Sequence, residues 1–155
     1  MSVDVGTVAP DFTLMDQDRQ PVTLGTYRGQ PVVLAFFPAA FSGTCTKELC
    51  TFRDSLGELN SARSQVLGIS VDSFFALKAF QQAERLNFPL LSDFNKTVIS
   101  AYGVVNPDMI GLHNIAKRSV FVLDKQGIVR YREVLDDARH EPDYPKVLEA
   151  VRNLA

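Results

Sequence analysis

The sequence predicts an α/β fold, with a central mixed β-sheet flanked by helices on both faces and an N-terminal β-hairpin. The first observation is that short apolar runs, typical of buried strands, alternate with segments whose apolar residues recur at helical spacing. The second is that the last two apolar runs flank a single turn, which indicates an antiparallel hairpin. The chain has 155 residues and a hydrophobic content of 46%, so we expect residues 1–155 to form one domain.

The N-terminal hairpin and the first central strand come from the opening part of the chain. Two short alternating segments, 11–15 and 22–24, flank the polar turn 16–20, a pattern typical of paired strands. The continuous apolar run 31–37 is rich in Val, Leu and Phe. Such a run predicts a strand that is buried on both faces, near the centre of the sheet.

A helix is predicted after this strand and a short loop. Apolar side chains recur at helical spacing in this part of the chain: Leu49, Phe52, Leu56 and Leu59. We therefore expect a helix from about residues 42–44 to about Ala62. Cys45 falls in its first turn, and we expect it to be exposed there.

The middle of the chain repeats the alternation of strand and helix. Residues 66–71 and 89–91 are predicted strands. Between them, Asp72 and Ser73 offer a helix cap. The helix they begin carries Phe74, Leu77 and Phe80 at helical spacing and is expected to end near Asn87.

The last third of the chain contains two more helices and the hairpin. Residues 93–102 are predicted to form a helix stopped by Gly103. Apolar runs 119–123 and 128–134 flank the turn 124–127, which predicts the antiparallel hairpin. A final helix is expected after Asp143, with three residues facing the core: Val147, Leu148 and Val151.

Charge and hydropathy exclude several classes of function. Sixteen Lys and Arg stand against 18 Asp and Glu, a net charge of −2, and the basic residues are scattered, so neither nucleic acid nor an anionic membrane is an expected partner. The longest largely apolar stretch, 31–41, is too short to span a bilayer. Residues 1–10 have no positive charge and no apolar signal core, so we expect a cytoplasmic location.

The two cysteines, Cys45 and Cys50, direct attention to redox or metal chemistry. A pair only five positions apart would close a very small loop, so a disulfide-stapled secreted scaffold is not expected. Cys45 is predicted in the first turn of a helix, just past the carboxyl end of a central strand, where functional sites of such sheets lie. Unpaired N–H groups and the helix dipole stabilise a thiolate there. Ser42 and Thr44 add hydroxyl groups close by, and Lys47 adds a positive charge.

The residues around Cys45 resemble the peroxiredoxin family. Residues 38–45, Pro-Ala-Ala-Phe-Ser-Gly-Thr-Cys, are similar to its signature of Pro, three residues, Thr or Ser, two residues and Cys. Glu48 matches a common family position, and 9–12, Ala-Pro-Asp-Phe, resembles the family's opening. Arg118, before the run 119–124, resembles its later active-site arginine. The resemblance covers essentially the whole length.

This resemblance implies a thioredoxin-like fold and a thiol-dependent peroxidase that serves antioxidant defence by reducing hydrogen peroxide and organic hydroperoxides. It implies that Cys45 is the peroxidatic nucleophile and is oxidised to a sulfenic acid. Ser42 would bind the peroxide, Pro38 would shield the site, and Arg118 would stabilise the thiolate and the transition state. The supporting residues would be Glu48 and Thr44.

Subfamily features are mixed, and they bear on Cys50. Residues 36–38 and 88–93 resemble the alkyl hydroperoxide reductase E type. The Cys-x-x-x-x-Cys pair instead resembles the bacterioferritin comigratory protein, or peroxiredoxin Q, type. That type implies that Cys50 resolves the sulfenic acid as an intramolecular disulfide. The alternative is that Cys50 is a small core residue, with a one-cysteine mechanism.

The family also implies partners. The substrate would be a hydroperoxide, and the reductant would be thioredoxin or a mycoredoxin- or glutaredoxin-like protein. A homodimer is expected, and neither a cofactor nor a metal is predicted. His113 and His140 fall in predicted loops, where an ordinary solvated imidazole is expected.

Simpler interpretations exist for several residues. Ser42 and Thr44 have the residue types that cap helices, a role compatible with peroxide binding. Lys47 is expected on a solvated helix face. Arg118 begins an apolar strand, where a surface arginine is the alternative to a catalytic one. Arg53 is predicted to pair with Glu48 or Asp54 and is assigned no chemistry.

Two other functions compete with peroxide reduction. A thioredoxin-like dithiol oxidoreductase would act on protein disulfides, but its cysteines are usually separated by two residues rather than four, and it has no use for Ser42 and Arg118. A copper-carrying module would use Cys45, Cys50 and a histidine. No membrane anchor and no closer cysteine spacing supports that module.

Overall fold

The computed structural model of the protein describes residues 3–55, 59 and 62–154. Within this part of the chain the strands are β1 Thr13–Asp16, β2 Pro21–Thr23, β3 Val32–Phe36, β4 Gln65–Ser70, β5 Leu90–Ser92, β6 Val105–Asn106, β7 Ile115–Ala116, β8 Ser119–Leu123 and β9 Val129–Val134. The α-helices are α1 Gly43–Asp54, α2 Phe74–Ala83, α3 Thr97–Ala101 and α4 Tyr144–Arg152.

The main sheet of the described chain has seven strands in the order β2-β1-β5-β4-β3-β8-β9. β3, β4 and β5 are parallel neighbours, whereas β8 runs antiparallel to β3 and β9 antiparallel to β8. β1 and β2 form the predicted N-terminal hairpin and join the sheet through β5. The predicted mixed sheet is therefore confirmed, with β3 in its interior.

Apolar side chains fill both faces of this sheet because successive residues of a strand alternate between faces. On one face, Val33 and Ala35 of β3 pack with the buried residues of α1, α2 and α4. On the other, Leu34 and Phe36 pack with α3 and with the N-terminal segment. All five residues of β3 are buried, as predicted for a central strand covered on both sides.

The first helix is shorter than the sequence predicts. α1 ends at Asp54, and Ser55 donates its backbone N–H back to the Thr51 carbonyl. Serine, like the preceding Asp54, competes for backbone hydrogen bonds and so favours a helix end over a helix interior. Leu59 is helical, but the predicted extension over 56–58, 60 and 61 lies outside the described residues. Ala62 already belongs to a turn, so an unbroken helix to Ala62 is wrong.

Two other predicted helices are also shorter. α2 ends at Ala83 rather than near Asn87, because Arg85 adopts a left-handed backbone with φ of 53°. α3 begins at Thr97 rather than Asp93. Lys96 is left-handed, and the buried Asp93 carboxylate instead accepts the N–H groups of Val98 and Ile99.

Some elements have no counterpart in the sequence prediction. Leu24–Tyr27 form a 3₁₀ turn, and β6 and β7 form a small antiparallel hairpin. Residues 107–114 connect these two strands, and we call them the β6–β7 loop. In the part of the chain that the structure describes, no helix has the length and apolar character needed to cross a bilayer.

Candidate active site

The loop between β3 and α1 is held in place from the end of β4. The Asp72 carboxylate accepts the Ala40 N–H at 2.8 Å and the Ser70 hydroxyl at 2.6 Å. Within this loop Phe41 has a left-handed backbone, with φ of 68°, which is uncommon for a bulky residue. The loop conformation is thus fixed by a long-range contact as well as by local sequence.

The helix begins at Ser42, whose side chain caps it. Ser42 Oγ accepts the backbone N–H of Cys45 at 3.4 Å. Cys45 therefore lies in the first turn, as predicted. The expected exposure is wrong, since the side chain is completely buried and packs with the core residues of one sheet face. Burial follows from its position on the same face of α1 as Leu49 and Phe52.

Arg118 lies beside Cys45 because of the strand register. It comes directly before β8, and Ser119 is paired with Phe36 at the end of β3. The Arg118 side chain is only 1% exposed. Its Nη2 donates to Cys45 Sγ at 3.2 Å. Arg118 is thus buried against Cys45, and the alternative of a surface strand-end arginine is wrong.

Two further contacts hold the Arg118 guanidinium. Nη1 donates to Glu48 Oε1 at 3.0 Å, and Nη2 donates to the Ala138 carbonyl at 2.9 Å. A planar guanidinium with several fixed donors can stabilise an anion without reorganising. The positive charge beside Cys45 is therefore preorganised.

Glu48 shares Arg118 with the thiol. Its side chain is completely buried, and among the described residues its Oε2 has no hydrogen-bond partner. Burial raises the pKa of Glu48 to about 8, against the opposing attraction of Arg118. Burial disfavours the charge on Arg118, but Glu48 and Cys45 outweigh this and raise the pKa of Arg118. The cation is thus stabilised by both neighbours.

A cleft of about 570 Å³ opens beside this group. It is lined by Pro38, Ser42, Gly43, Thr44, Asn106, Asp108, Met109, Ile110, Arg118, Asp136, Asp137, Ala138 and Arg139. Four sequence-predicted site residues, Pro38, Ser42, Thr44 and Arg118, thus line the same cleft. Other lining residues belong to the β6–β7 loop and to the segment after β9.

Cys50 has a different environment from Cys45. It is half-buried near the middle of α1, and its Sγ donates to Glu84 Oε2 at 3.5 Å. Burial and this carboxylate raise the pKa of Cys50. Both cysteines are free thiols.

The remaining candidate residues lie on the surface. Lys47 is exposed, as predicted. Arg53 pairs with Asp54 at 3.0 Å, one of its two predicted partners. His113 and His140 are exposed loop residues. Within the described residues no group of three His, Cys, Asp or Glu side chains could hold a metal, so the copper module has no ligand cluster there.

Two groups that shape the site, Asp72 and the Ala138 carbonyl, were not identified from sequence, and neither was Glu84, which contacts Cys50 away from the cleft. Asp72 was predicted as part of a cap, but the cap of α2 is Ser73, which accepts the Ala76 N–H. The Ala138 carbonyl contacts Arg118 across 20 residues of sequence, and Glu84 contacts Cys50 across 34. A polar residue directly after a buried strand was the available signal for Asp72.

A buried thiol at a helix N-terminus, in contact with a fixed guanidinium and next to an open cleft, defines the class of thiol-dependent redox enzymes. The comparisons with known proteins specify that class. Residues 5–132 match the model of the AhpC/TSA family, and the chain belongs to this family.

Known relatives agree with this assignment. The chain is 38% identical over 152 residues to the chloroplastic peroxiredoxin Q of Sedum lineare, which covers 97% of this chain and 80% of that protein. It is 45% identical over 135 residues to alkyl hydroperoxide reductase E of Mycobacterium tuberculosis, which covers 85% and 86%. The crystal structure of peroxidoxin BcpB from Mycobacterium tuberculosis superposes with a TM-score of 0.88 at 33% identity, covering 99% of both chains.

These findings confirm the predicted family, the thioredoxin-like fold and the mixed subfamily resemblance. The protein is a peroxiredoxin, a thiol-dependent peroxidase, and thus an oxidoreductase. The competing assignment as a dithiol oxidoreductase acting on protein disulfides is therefore set aside.

Proposed function

We propose that Cys45 reduces hydroperoxides by nucleophilic attack, and the observation that carries this proposal is its 3.2 Å contact with Arg118. The Cys45 thiolate attacks the terminal peroxide oxygen, and the O–O bond breaks. The products are Cys45 sulfenic acid and, after proton uptake, an alcohol or water. The reaction uses no cofactor and no metal.

Arg118 stabilises both ends of this displacement. Negative charge moves from sulfur to the leaving oxygen, so a cation that already contacts sulfur and borders the cleft lowers the barrier. The Ala138 carbonyl and Glu48 hold the guanidinium in this orientation. Glu48 is thus a positioning residue, and Arg118 is a catalytic one.

Ser42 and its neighbours bind the peroxide. Ser42 Oγ accepts the Cys45 N–H, so its own hydrogen is available to donate to a peroxide oxygen. Pro38 is buried at the cleft wall and shields the reacting sulfur from water. Thr44 adds a second hydroxyl at this wall.

Cys50 resolves the sulfenic acid. Its thiol sulfur attacks Cys45 sulfur, the S–O bond breaks, and the oxygen leaves as water with the thiol proton. Positions five apart on an ideal helix are separated by ~8.6 Å, whereas disulfide Cα atoms lie ~4.4–6.8 Å apart. α1 must therefore unwind in part to form the bond, which exposes it to a reductant.

The substrates we propose are hydrogen peroxide and organic hydroperoxides, because Met109 and Ile110 give the cleft apolar walls. The reductant is thioredoxin or a mycoredoxin- or glutaredoxin-like thiol protein. A homodimer, one domain over residues 1–155, a cytoplasmic location and a role in antioxidant defence complete the proposal.

One experiment tests the two-cysteine cycle. Reduced protein is treated with one equivalent of peroxide, and free thiols, crosslinked peptides and hydrogen exchange are followed by mass spectrometry, with insulin reduction measured alongside. We expect loss of both thiols, a Cys45–Cys50 crosslink, faster exchange in 42–52 and no efficient insulin reduction. Retention of a free Cys50 thiol beside a stable Cys45 sulfenate would instead establish a one-cysteine mechanism.

A further inference from the structure

Besides the apolar packing between the two helices, Glu84 makes polar contacts from the end of α2 to the half of α1 that carries Cys50. Glu84 follows α2 as its C-terminal cap. Its side chain accepts the Cys50 thiol at 3.5 Å, and its backbone carbonyl accepts Arg53 Nη1 at 2.6 Å. Glu84 therefore contacts two side chains of α1 at once.

The same residue places negative charge beside the thiol. From α1, Arg53 and Asp54 are the charged neighbours of Cys50, and from the end of α2 it is Glu84. Burial is the largest cause that raises the pKa of Cys50, and the Glu84 hydrogen bond is the next; Arg53 opposes them. The thiol is thus kept protonated while α1 is intact.

Disulfide formation must end the contact with Glu84. The bond consists of the Cys50 S–H hydrogen donated to a carboxylate oxygen, and a disulfide sulfur carries no hydrogen. In addition, ~140° of helical turn separates the side-chain directions of Cys45 and Cys50. For the two sulfurs to meet, either Cys50 loses its contact with Glu84 at the end of α2, or the part of α1 that precedes Cys50 unwinds.

We propose that Glu84 is a brake on resolution, a positioning residue that holds Cys50 in the helix as an unreactive thiol and so prolongs the life of the Cys45 sulfenic acid. This inference rests on the proposed role of Cys50. It places the control point of the cycle at the C-terminal end of α2, outside the peroxide cleft.

The brake decides between two fates of the sulfenic acid. In resolution, the Cys50 thiol and Cys45 sulfenic acid give a disulfide and water. In overoxidation, a second hydroperoxide transfers one oxygen to Cys45, which becomes sulfinic acid while the hydroperoxide is reduced to an alcohol or water. Slower resolution increases the share of the second reaction, and it also leaves time for an external thiol to react with Cys45.

Two substitutions of Glu84 distinguish the effect of its hydrogen bond with Cys50 from the effect of its negative charge. Glu84→Gln keeps a side-chain oxygen that can accept the thiol hydrogen but removes the negative charge. Glu84→Ala removes both. Glu149→Gln is the matched control, because Glu149 is an exposed residue of α4 and the change in net charge is the same.

The readout is rapid acid quenching followed by mass spectrometry, since the chain has no tryptophan to report the steps by fluorescence. Sulfenic acid, disulfide and sulfinic acid differ in mass. We expect the oxidation of Cys45 to be unchanged in all three variants. Disulfide formation should be roughly 2–10-fold faster in Glu84→Ala, the effect of one lost hydrogen bond.

The pH profile and the overoxidised fraction complete the test. Glu84→Gln should move the pH at which resolution accelerates to a lower value, because the thiolate of Cys50 forms more easily without the carboxylate. Both Glu84 variants should accumulate less sulfinic acid than wild type in excess peroxide. Glu149→Gln should match wild type in each measurement.

The outcomes distinguish this inference from the proposed function. Equal or slower disulfide formation in Glu84→Ala, with a wild type that does form the disulfide, would overturn the brake and leave the two-cysteine cycle intact. If wild type forms no disulfide, the proposed resolving role of Cys50 is wrong, and the proposed role of Glu84 as a brake is wrong as well.

Discussion

Two positions of α1, one in its first turn and one near its middle, carry cysteines in opposite surroundings. Near its N-terminus, Cys45 is fully buried and contacts the Arg118 cation. One and a half turns later, Cys50 is half-buried and contacts the Glu84 carboxylate. The first environment places a cation against the sulfur, whereas the second raises the pKa of the thiol through burial and a carboxylate.

This difference separates the proposed tasks of the two cysteines. A nucleophile that meets dilute peroxide gains from being an anion before the substrate arrives. A resolving thiol has no reaction partner until the sulfenic acid exists. The neighbours supplied by β8 and by the end of α2 make this distinction, because both cysteines belong to one continuous helix.

Serine substitutions give the largest expected effect and test the comparison directly. Cys45→Ser should abolish peroxide consumption completely, because it removes the nucleophile. Cys50→Ser should still consume the first equivalent but should accumulate sulfenic and then sulfinic acid. Peroxide consumption per thiol and the intact mass measure both. Residual peroxidase activity in Cys45→Ser would show that the tasks of the two cysteines are not divided in this way.

Removing the cation should be the next largest effect. Arg118→Ala should slow the oxidation of Cys45 by roughly 10²–10³-fold, as expected for loss of a preorganised donor to developing charge. Arg118→Lys should restore only part of the rate, because a point charge cannot contact Cys45, Glu48 and the Ala138 carbonyl in the same geometry. Rapid-quench oxidation kinetics measure the rates. Full activity in Arg118→Lys would contradict the need for a planar guanidinium with several donors.

Ser42 tests whether the N-terminal end of α1 recognises peroxide or only stabilises a thiolate. Ser42→Ala should lower the rate of oxidation by roughly tenfold, equivalent to one hydrogen bond of about 1.4 kcal/mol. Alkylation by the neutral reagent iodoacetamide should fall less, because it requires the thiolate but not the orientation of a peroxide. Equal losses in the two reactions would reduce Ser42 to a helix cap.

The smallest expected effect concerns the charge balance around Arg118. Burial raises the pKa of Glu48 to about 8 from 4.5, so between these values the folded protein binds a proton that the unfolded chain has lost. By linkage, this group's contribution to stability is fully present below about pH 4.5 and declines as the pH rises towards 8. Glu48→Gln cannot titrate, so its urea midpoint should fall less than that of wild type over this range. A wild-type midpoint that rises through the same window would contradict the buried, protonated Glu48.

Local sequence was sufficient to predict the centre of the molecule. The run 31–37 indicated β3, helical spacing indicated α1, and together they located Cys45 beyond a central strand. Ser42 was recognisable as a cap from its residue type and position. Arg118 needed the family resemblance, because an arginine before an apolar strand has no distinctive local pattern.

The parts that sequence did not reveal depend on contacts between distant segments. Asp72 accepts the Ala40 N–H from 32 residues away, and Glu84 accepts the Cys50 thiol from 34 residues away. No periodicity or motif encodes such a pairing. The burial of Cys45, by contrast, was a missed local signal, because its helical spacing with Leu49 and Phe52 puts it on the buried face of α1.

Leu49 lies between the two cysteines and is completely buried. In the proposed cycle the helix must open around this core side chain, so each turnover is also a small unfolding and refolding reaction. Its rate should rise with temperature more steeply than sulfur chemistry alone requires, and osmolytes that favour compact states should slow it. A core substitution that stabilised α1 would raise the free energy of unfolding and lower the rate of peroxide turnover.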